Sequence, residues 1–488
     1  MYASNGLQDW FASRSPTARA VLIGAAVGVS GGLIGLLLAA FDPLIAAGVT
    51  LGGLAALYVL TNVSAALYAV IAVIALLPFG TLPVRVGFTP TLLDAALGTF
   101  LIVYLFQWMT GRRSRFRLTP VHALIALYVL WLMLSFALGL RYALPTSAKL
   151  RQFAETLVSI GMVFVLVDLL RDVGALRRLV LVLLLAIGAQ ALITLALYAL
   201  PDTTAENILV RLARIGYPNG GVIRYIEDNP ALNERAIGTW VDPNALGGML
   251  AISATLTASQ LFASRPALRW RFLVVLQMAL VGAALFLTYS RASILAFAAG
   301  LAVMVLARYR RYIPLLLVSV LLLLLLPQTQ VFVNRFAQAF TASDLATQMR
   351  LGEYSDSLRL ISRYPVFGVG FTGTPERDLY TDVASMYLIM ANQIGLVGVG
   401  IFLTTVLGVY VYGLRAWRLV RNNPDLDAIH LGLHAALLAA LANAAADLYF
   451  FRLDFQASIS LFWFIIALCL ASSRLGLDQA AQVSVSAR

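Results

Sequence analysis

This chain is poor in the residues on which most enzyme chemistry rests. Its single cysteine, Cys469, lies in the last long apolar run, so no intrachain disulfide can form and the thiol reads as a small core residue. Of its three histidines, His430 and His434 have the i,i+4 spacing of two ligands on one helix face. A zinc site needs more ligands, and only Asp425 and Asp427 are near in sequence, so these read as core or interfacial histidines and no metal is expected. Gly-rich phosphate loops, a GxSxG elbow, HExxH and cysteine clusters are all missing, and no cofactor is expected. Charge is scarce too: 12% Asp, Glu, Lys and Arg against roughly 25% in soluble domains, which excludes an ordinary soluble globular protein. Lys149 is the one lysine, but arginine usage alone carries little functional weight.

What is present is hydrophobicity: 61% of residues, with a mean hydropathy of +0.87. Apolar runs near the ~20 residues needed to cross a ~30 Å hydrocarbon core recur along the chain. They predict an all-α polytopic transmembrane helical bundle of about fourteen spans, forming a single membrane domain over 1–488. The expected spans are 18–41, 43–60, 63–79, 91–109, 120–139, 151–170, 179–199, 243–263, 272–289, 292–307, 312–327, 385–414, 429–448 and 455–473. The run 385–414 is long enough to be a short helix joined to a span. No cleavable signal pattern precedes the first run, which reads as a retained span.

A net charge of +12 could suggest a nucleic-acid ligand, but the basic residues sit in short links between apolar runs, such as 111–117, 171–178, 264–271, 308–311 and 415–421. Lys and Arg mark cytoplasmic loops, so the charge reads as topology and no nucleic acid is expected. With both termini cytoplasmic, every basic link falls inside. The polar loops 200–242 and 328–384 then fall outside, the latter a large periplasmic loop with short helices between spans 11 and 12.

Polar residues at membrane depth are costly and are functional hypotheses by default. Here they gather near the outer ends of spans: Asp94, Arg151, Glu155, Asp242, Asn244, Arg291 and Asp447. The large loop adds Arg350, Arg359 and Arg363 on a predicted helix over 350–363, with Leu351, Tyr354, Leu358 and Ile361 on one face. Pro365 ends that helix, and Gly368 and Gly370 supply a tight turn. An outer cavity lined with arginines and a few carboxylates is expected; the alternative is that these groups pair with one another or lie among lipid headgroups.

Four segments in order carry a family resemblance. RAIGTWVDPNALGGML (235–250), TYSRASILAFAAGL (288–301), the stretch from Arg350 to the GVGF ending at Phe371, and SMYLIMANQIGLVGVG (385–400) resemble the motifs of the O-antigen ligase and polymerase family, bacterial polytopic membrane glycosyltransferases similar to the GT-C type. The likeness covers a family-like catalytic core over 235–414. It implies transfer from an undecaprenyl-diphosphate-linked glycan donor to a glycan or lipid-linked acceptor, at the periplasmic face of the bacterial inner membrane, without a metal and with membrane lipids around it. By resemblance Arg235, Arg291 and Arg350 are catalytic candidates, and Asp242, Asn244 and Tyr387 are candidates for substrate binding; Arg151 at its span's outer end joins them, as do Arg359 and Arg363, which could equally pair with Glu353 and Asp356. Arginine suits a departing diphosphate, since its fork donates two charge-assisted hydrogen bonds and stays charged when partly buried.

One departure bears on function. Ligases of this family carry a histidine about three residues before the tyrosine of the Tyr-Leu motif; here Ala384 stands there, and loop 328–384 has no histidine. Asp382 is the nearest carboxylate that could act as base on the acceptor hydroxyl. A polymerase of O-antigen or exopolysaccharide is therefore expected ahead of a ligase acting on lipid A-core. A lipid-linked oligosaccharide flippase or other transporter is the alternative from another class, and a structural membrane scaffold leaves the loop arginines unexplained.

Overall fold

A computed structural model describes residues 62–84, 87–111, 116–314, 345–375 and 382–486, with isolated positions elsewhere. The chain divides into two compact units, residues 1–69 with 98–116, and residues 70–97 with 117–488. In the first, Arg113 donates to Gln107 (2.9 Å) and lies over the Tyr104 ring. The second holds all the candidate site residues named above.

The described helices are α1 (Val63–Leu76), α2 (Leu92–Met109), α3 (Val121–Gly139), α4 (Ser147–Leu169), α5 (Val173–Tyr198), α6 (Asp202–Val210), α7 (Pro243–Leu261), α8 (Arg271–Leu287), α9 (Arg291–Arg308), α10 (Leu345–Arg363), α11 (Met386–Val420), α12 (Asp427–Asn443) and α13 (Gln456–Ser486). Two-residue strands, β1 (Arg224–Tyr225) and β2 (Glu234–Arg235), pair antiparallel with Arg224 opposite Arg235. Helix starts follow local chemistry. Asp242 accepts from the Asn244 and Ala245 amides, with Pro243 at the first helical position of α7, and Ser290 accepts from the Ser293 amide to open α9.

Seven of the described helices are long and apolar enough to cross a membrane: α2, α3, α4, α5, α9, α11 and α13. Their uncovered faces carry Leu185, Leu192, Leu407 and Leu414, as expected of helices solvated by hydrocarbon. Helices α1, α8 and α12 are apolar but shorter. The expected spans 18–41 and 43–60, and most of 312–327, lie outside the described residues. The expected span 243–263 forms α7 but lacks the hydropathy of a span, because it is buried against α8, α9 and α12 through small and hydroxylated residues. Its Thr255 and Thr257 hydroxyls donate to carbonyls four residues earlier, which satisfies both inside a closely packed helix.

The long run of α11 divides at Gly395, whose φ of 70° and ψ of 174° interrupt the helix. The break frees backbone carbonyls that would otherwise be bonded along the helix. Trp131 Nε1 donates to the Ile394 carbonyl (2.9 Å) and Ser135 Oγ to that of Gln393 (2.7 Å). The turn after α10 supplies the rest: the Val369 amide donates to the Asn392 carbonyl and the Gly370 amide to that of Gln393. In return, the Leu396 amide donates to the Pro365 carbonyl. The expected turn at Gly368 and Gly370 is therefore a plug that fits the broken helix, and it fixes α10 against α11.

The expected apolar face of α10 needs correction. Leu351 and Leu358 are exposed, while Ser357, Leu360 and Ile361 are buried. Polar bonds set the rotation: Ser357 with Asn392 (3.0 Å), the Ala384 amide with Glu353 (3.1 Å), and Tyr354 with the Ala384 carbonyl (3.3 Å). Three hydrogen bonds, one to Asn392 and two to Ala384, outweigh the placement of two leucines.

Candidate functional site

The loop between α6 and α7 folds back through the short β1–β2 ribbon. The Ile226 amide donates to the Asn233 carbonyl, and the Ala236 amide to the Leu287 carbonyl at the end of α8. Ile226 packs on Tyr289, and the Asn233 amide group donates to the Tyr289 hydroxyl (3.1 Å). These bonds tie the ribbon to the α8–α9 connection, so Arg235 and Arg291, far apart in sequence, share one wall.

Arg235, Arg291 and Arg350 all line a cavity of about 210 Å³. The first turn of α9 adds Ser290 and Ala292, the ribbon adds Tyr225, and Asn244 comes from α7. Each arginine is partly buried. Arg235 is fixed through Nε to the Thr288 carbonyl (2.9 Å) and through Nη2 to Asn244 Oδ1 (2.6 Å). Burial lowers its pKa, opposed by Asp242, Tyr449, Asp447 and Asp228 nearby, and a guanidinium remains charged. Arg291 stands at the start of α9, where the helix dipole adds positive potential. Arg350 reaches from α10 and lies 3.8 Å from the Asp447 carboxylate. The cavity is smaller than the ~300–1,000 Å³ of a drug-sized site, so it suits a compact anion whose remainder extends outside.

Two carboxylates also line the cavity, Glu227 and Asp228. Both have left-handed backbone, φ 56° and 53°, as does Tyr289 at 51°. Such conformations are uncommon for non-glycine residues and gather where geometry is imposed by function. Sequence reasoning missed this pair; the turn-forming Asp-Asn-Pro of Asp228, Asn229 and Pro230 was the available signal, and it names a turn rather than a site.

The other candidates lie elsewhere. Asp382 is ion-paired with Arg452 (3.1 Å) and does not line this cavity. Arg151 bridges Asp94 and Glu155, each at 2.8 Å. Arg359 is exposed and lies 3.7 Å from Asp356, Arg363 is exposed at the end of α10, and Tyr387 donates to the Leu441 carbonyl (2.9 Å). Asp242 caps α7 beside Asn244. His430 is hydrogen-bonded to Ser472 (3.0 Å) and to the Gly413 carbonyl (3.2 Å), and His434 to the His430 carbonyl. Both are core residues, and no group of three metal-ligating side chains occurs among the described residues.

Asp447, in the turn after α12, is buried, accepts from the Asn443 side chain (3.3 Å) and stands 3.8 Å from Arg350.

Residues 276–403 match the family described as O-antigen ligase. That range runs from within α8 through α9 and α10 into α11, and so takes in Arg291 and Arg350 but not Arg235. A comparison with curated proteins finds no match.

Proposed function

We propose, from the premise that residues 276–403 assign this multi-pass membrane protein to the O-antigen ligase and polymerase family, that it polymerises glycans carried on undecaprenyl diphosphate at the periplasmic face of the inner membrane. The observation that carries this reading is the three arginines lining one compact cavity. A leaving diphosphate develops negative charge as the sugar C1–O bond breaks, and preorganised guanidinium groups stabilise that charge without rearranging. The acceptor hydroxyl gives its proton to a carboxylate, its oxygen forms the new bond to C1, and lipid diphosphate departs with the electron pair of the broken bond. Glu227 and Asp228 are the carboxylates that line the cavity with the arginines, and we assign the proton to this pair in preference to Asp382 with its Arg452 partner. Ala384, in place of the ligase histidine, favours a polymerase over transfer to lipid A-core.

Purified protein supplied with lipid-linked repeat units should yield longer chains and free lipid diphosphate. Translocation across a vesicle with no change in chain length would replace this reading with a transporter. In the same assay Glu227→Gln or Asp228→Asn should lower turnover by roughly a hundredfold, the range of general-base catalysis, while Asp382→Asn should retain most activity. The reverse order would return the base to Asp382.

A further inference from the structure

A second cavity, about 430 Å³, opens on the same loop, and its wall is of a different kind. Phe79, Tyr217, Trp240 and Phe455 supply aromatic surface, and Arg224 and Asp242 supply charge. The rings are set edge to face: Phe79 to Tyr217 at 6.2 Å and Phe79 to Phe455 at 5.9 Å. Trp240 is held by its indole N–H on the Ala75 carbonyl (3.0 Å). Arg452, the partner of Asp382, lies over Phe455 (5.9 Å). The volume falls in the ~300–1,000 Å³ range of sites for small organic ligands, unlike the compact arginine cavity.

The two cavities share their scaffold. The β1–β2 ribbon gives Tyr225 and Arg235 to the first and Arg224 to the second, and the start of α7 gives Asn244 to the first and Asp242 to the second. Val241, the remaining non-glycine residue with left-handed backbone among those described (φ 61°), lines the second. A β-branched residue in that conformation is a true outlier, and it marks this wall as imposed rather than relaxed. Tyr217 is 5% exposed, its hydroxyl is buried beside the Phe79 backbone, and it gives the cavity a ring face.

We infer that this aromatic cavity is a saccharide-binding site that holds the terminal sugars of the acceptor glycan beside the arginine cavity. Sugar rings present apolar C–H faces that pack on aromatic surfaces, while their hydroxyls accept from Arg224 and donate to Asp242 at the ring edge. A transferase needs its donor's reacting carbon and its acceptor's hydroxyl held next to each other, and one ribbon walling both cavities provides that juxtaposition. The ligand's role as acceptor rests on the transferase reading; the saccharide affinity does not.

The test uses the full-length protein in detergent and free repeat-unit oligosaccharide released from the source bacterium's own surface glycan, with binding read by saturation-transfer difference NMR. Wild type and Arg291→Ala should bind alike. Arg224→Ala, at an exposed position, and Phe455→Leu, which removes one aromatic face, should each weaken binding about tenfold, the worth of one good contact. With saturating lipid-linked donor, both variants should raise the acceptor KM while kcat stays within about twofold, the signature of a binding contact. No binding by wild type, or unchanged binding in both variants, would overturn the site. Binding lost in the variants by a protein that turns over no lipid-linked donor would keep the site and remove the transferase.

Discussion

Arg291→Ala should reduce chain growth by at least about a hundredfold at saturating donor, with the protein still folded and in the membrane. That is the usual loss when one preorganised donor to a developing anion is removed. Arg291 is the arginine to test first, because it opens α9 and lies in the matched range 276–403. Arg235 also holds Thr288 and Asn244, so its removal loosens the cavity wall, and Arg350 stands beside the Asp447 carboxylate. The backbone of Arg291 is set by the start of its helix. Ser290 caps α9, and Gly247 of α7 leaves so little space that an added Cβ would lie 2.5 Å from Ser293 Oγ. Arg291→Lys separates charge from shape. Lysine keeps the positive charge but loses the planar fork that grips two phosphate oxygens. Most of the loss seen with alanine should persist in Arg291→Lys, read as released lipid diphosphate. Full activity in the lysine variant would remove bidentate phosphate binding from the account.

The arginines were legible in the sequence for an energetic reason. In a chain with 12% charged residues, an arginine beside an apolar run carries a cost, and residues kept at a cost draw attention. A shared cavity was expected from their common side of the membrane, but the contacts that build it were not legible: the backbone bond from Ala236 to Leu287 and the packing of Ile226 on Tyr289 leave no pattern in the sequence. Glu227 and Asp228 were missed for a related reason. They matter through left-handed backbone imposed by the surrounding fold, and nothing in Ile226-Glu227-Asp228-Asn229 names that conformation. Helix α10 was expected, but its rotation was misjudged because hydrophobic periodicity counts leucines and ignores Ser357 and Glu353, whose partners are supplied by Asn392 and Ala384. The membrane class was plain from composition, since apolar runs of span length have few other uses.

The break in α11 concerns stability and should give the largest structural effect. Gly395→Ala places a methyl group where φ is 70° and ψ 174°, a region that is essentially glycine-only. The new Cβ would lie 2.0 Å from the Val366 carbonyl oxygen and 2.3 Å from its carbon. Both are backbone atoms of the turn that plugs the break, so relief requires moving the turn. Moving it exposes the carbonyls of Asn392 and Gln393, which now accept from Val369 and Gly370. Strain and lost bonds together should cost roughly 3 kcal/mol or more, and the thermal midpoint in detergent should fall by roughly 3 °C or more. The comparison lies five residues along the same helix. A Cβ added at Gly400 meets nothing within 4 Å, so Gly400→Ala should be neutral or stabilise the helix by up to ~1 kcal/mol. Activity should fall with Gly395→Ala even below its melting point, because the displaced turn continues from α10, the helix that carries Arg350 to the cavity. If Gly395→Ala melts with Gly400→Ala, α11 tolerates a continuous helix there and the plug does not hold α10 in place.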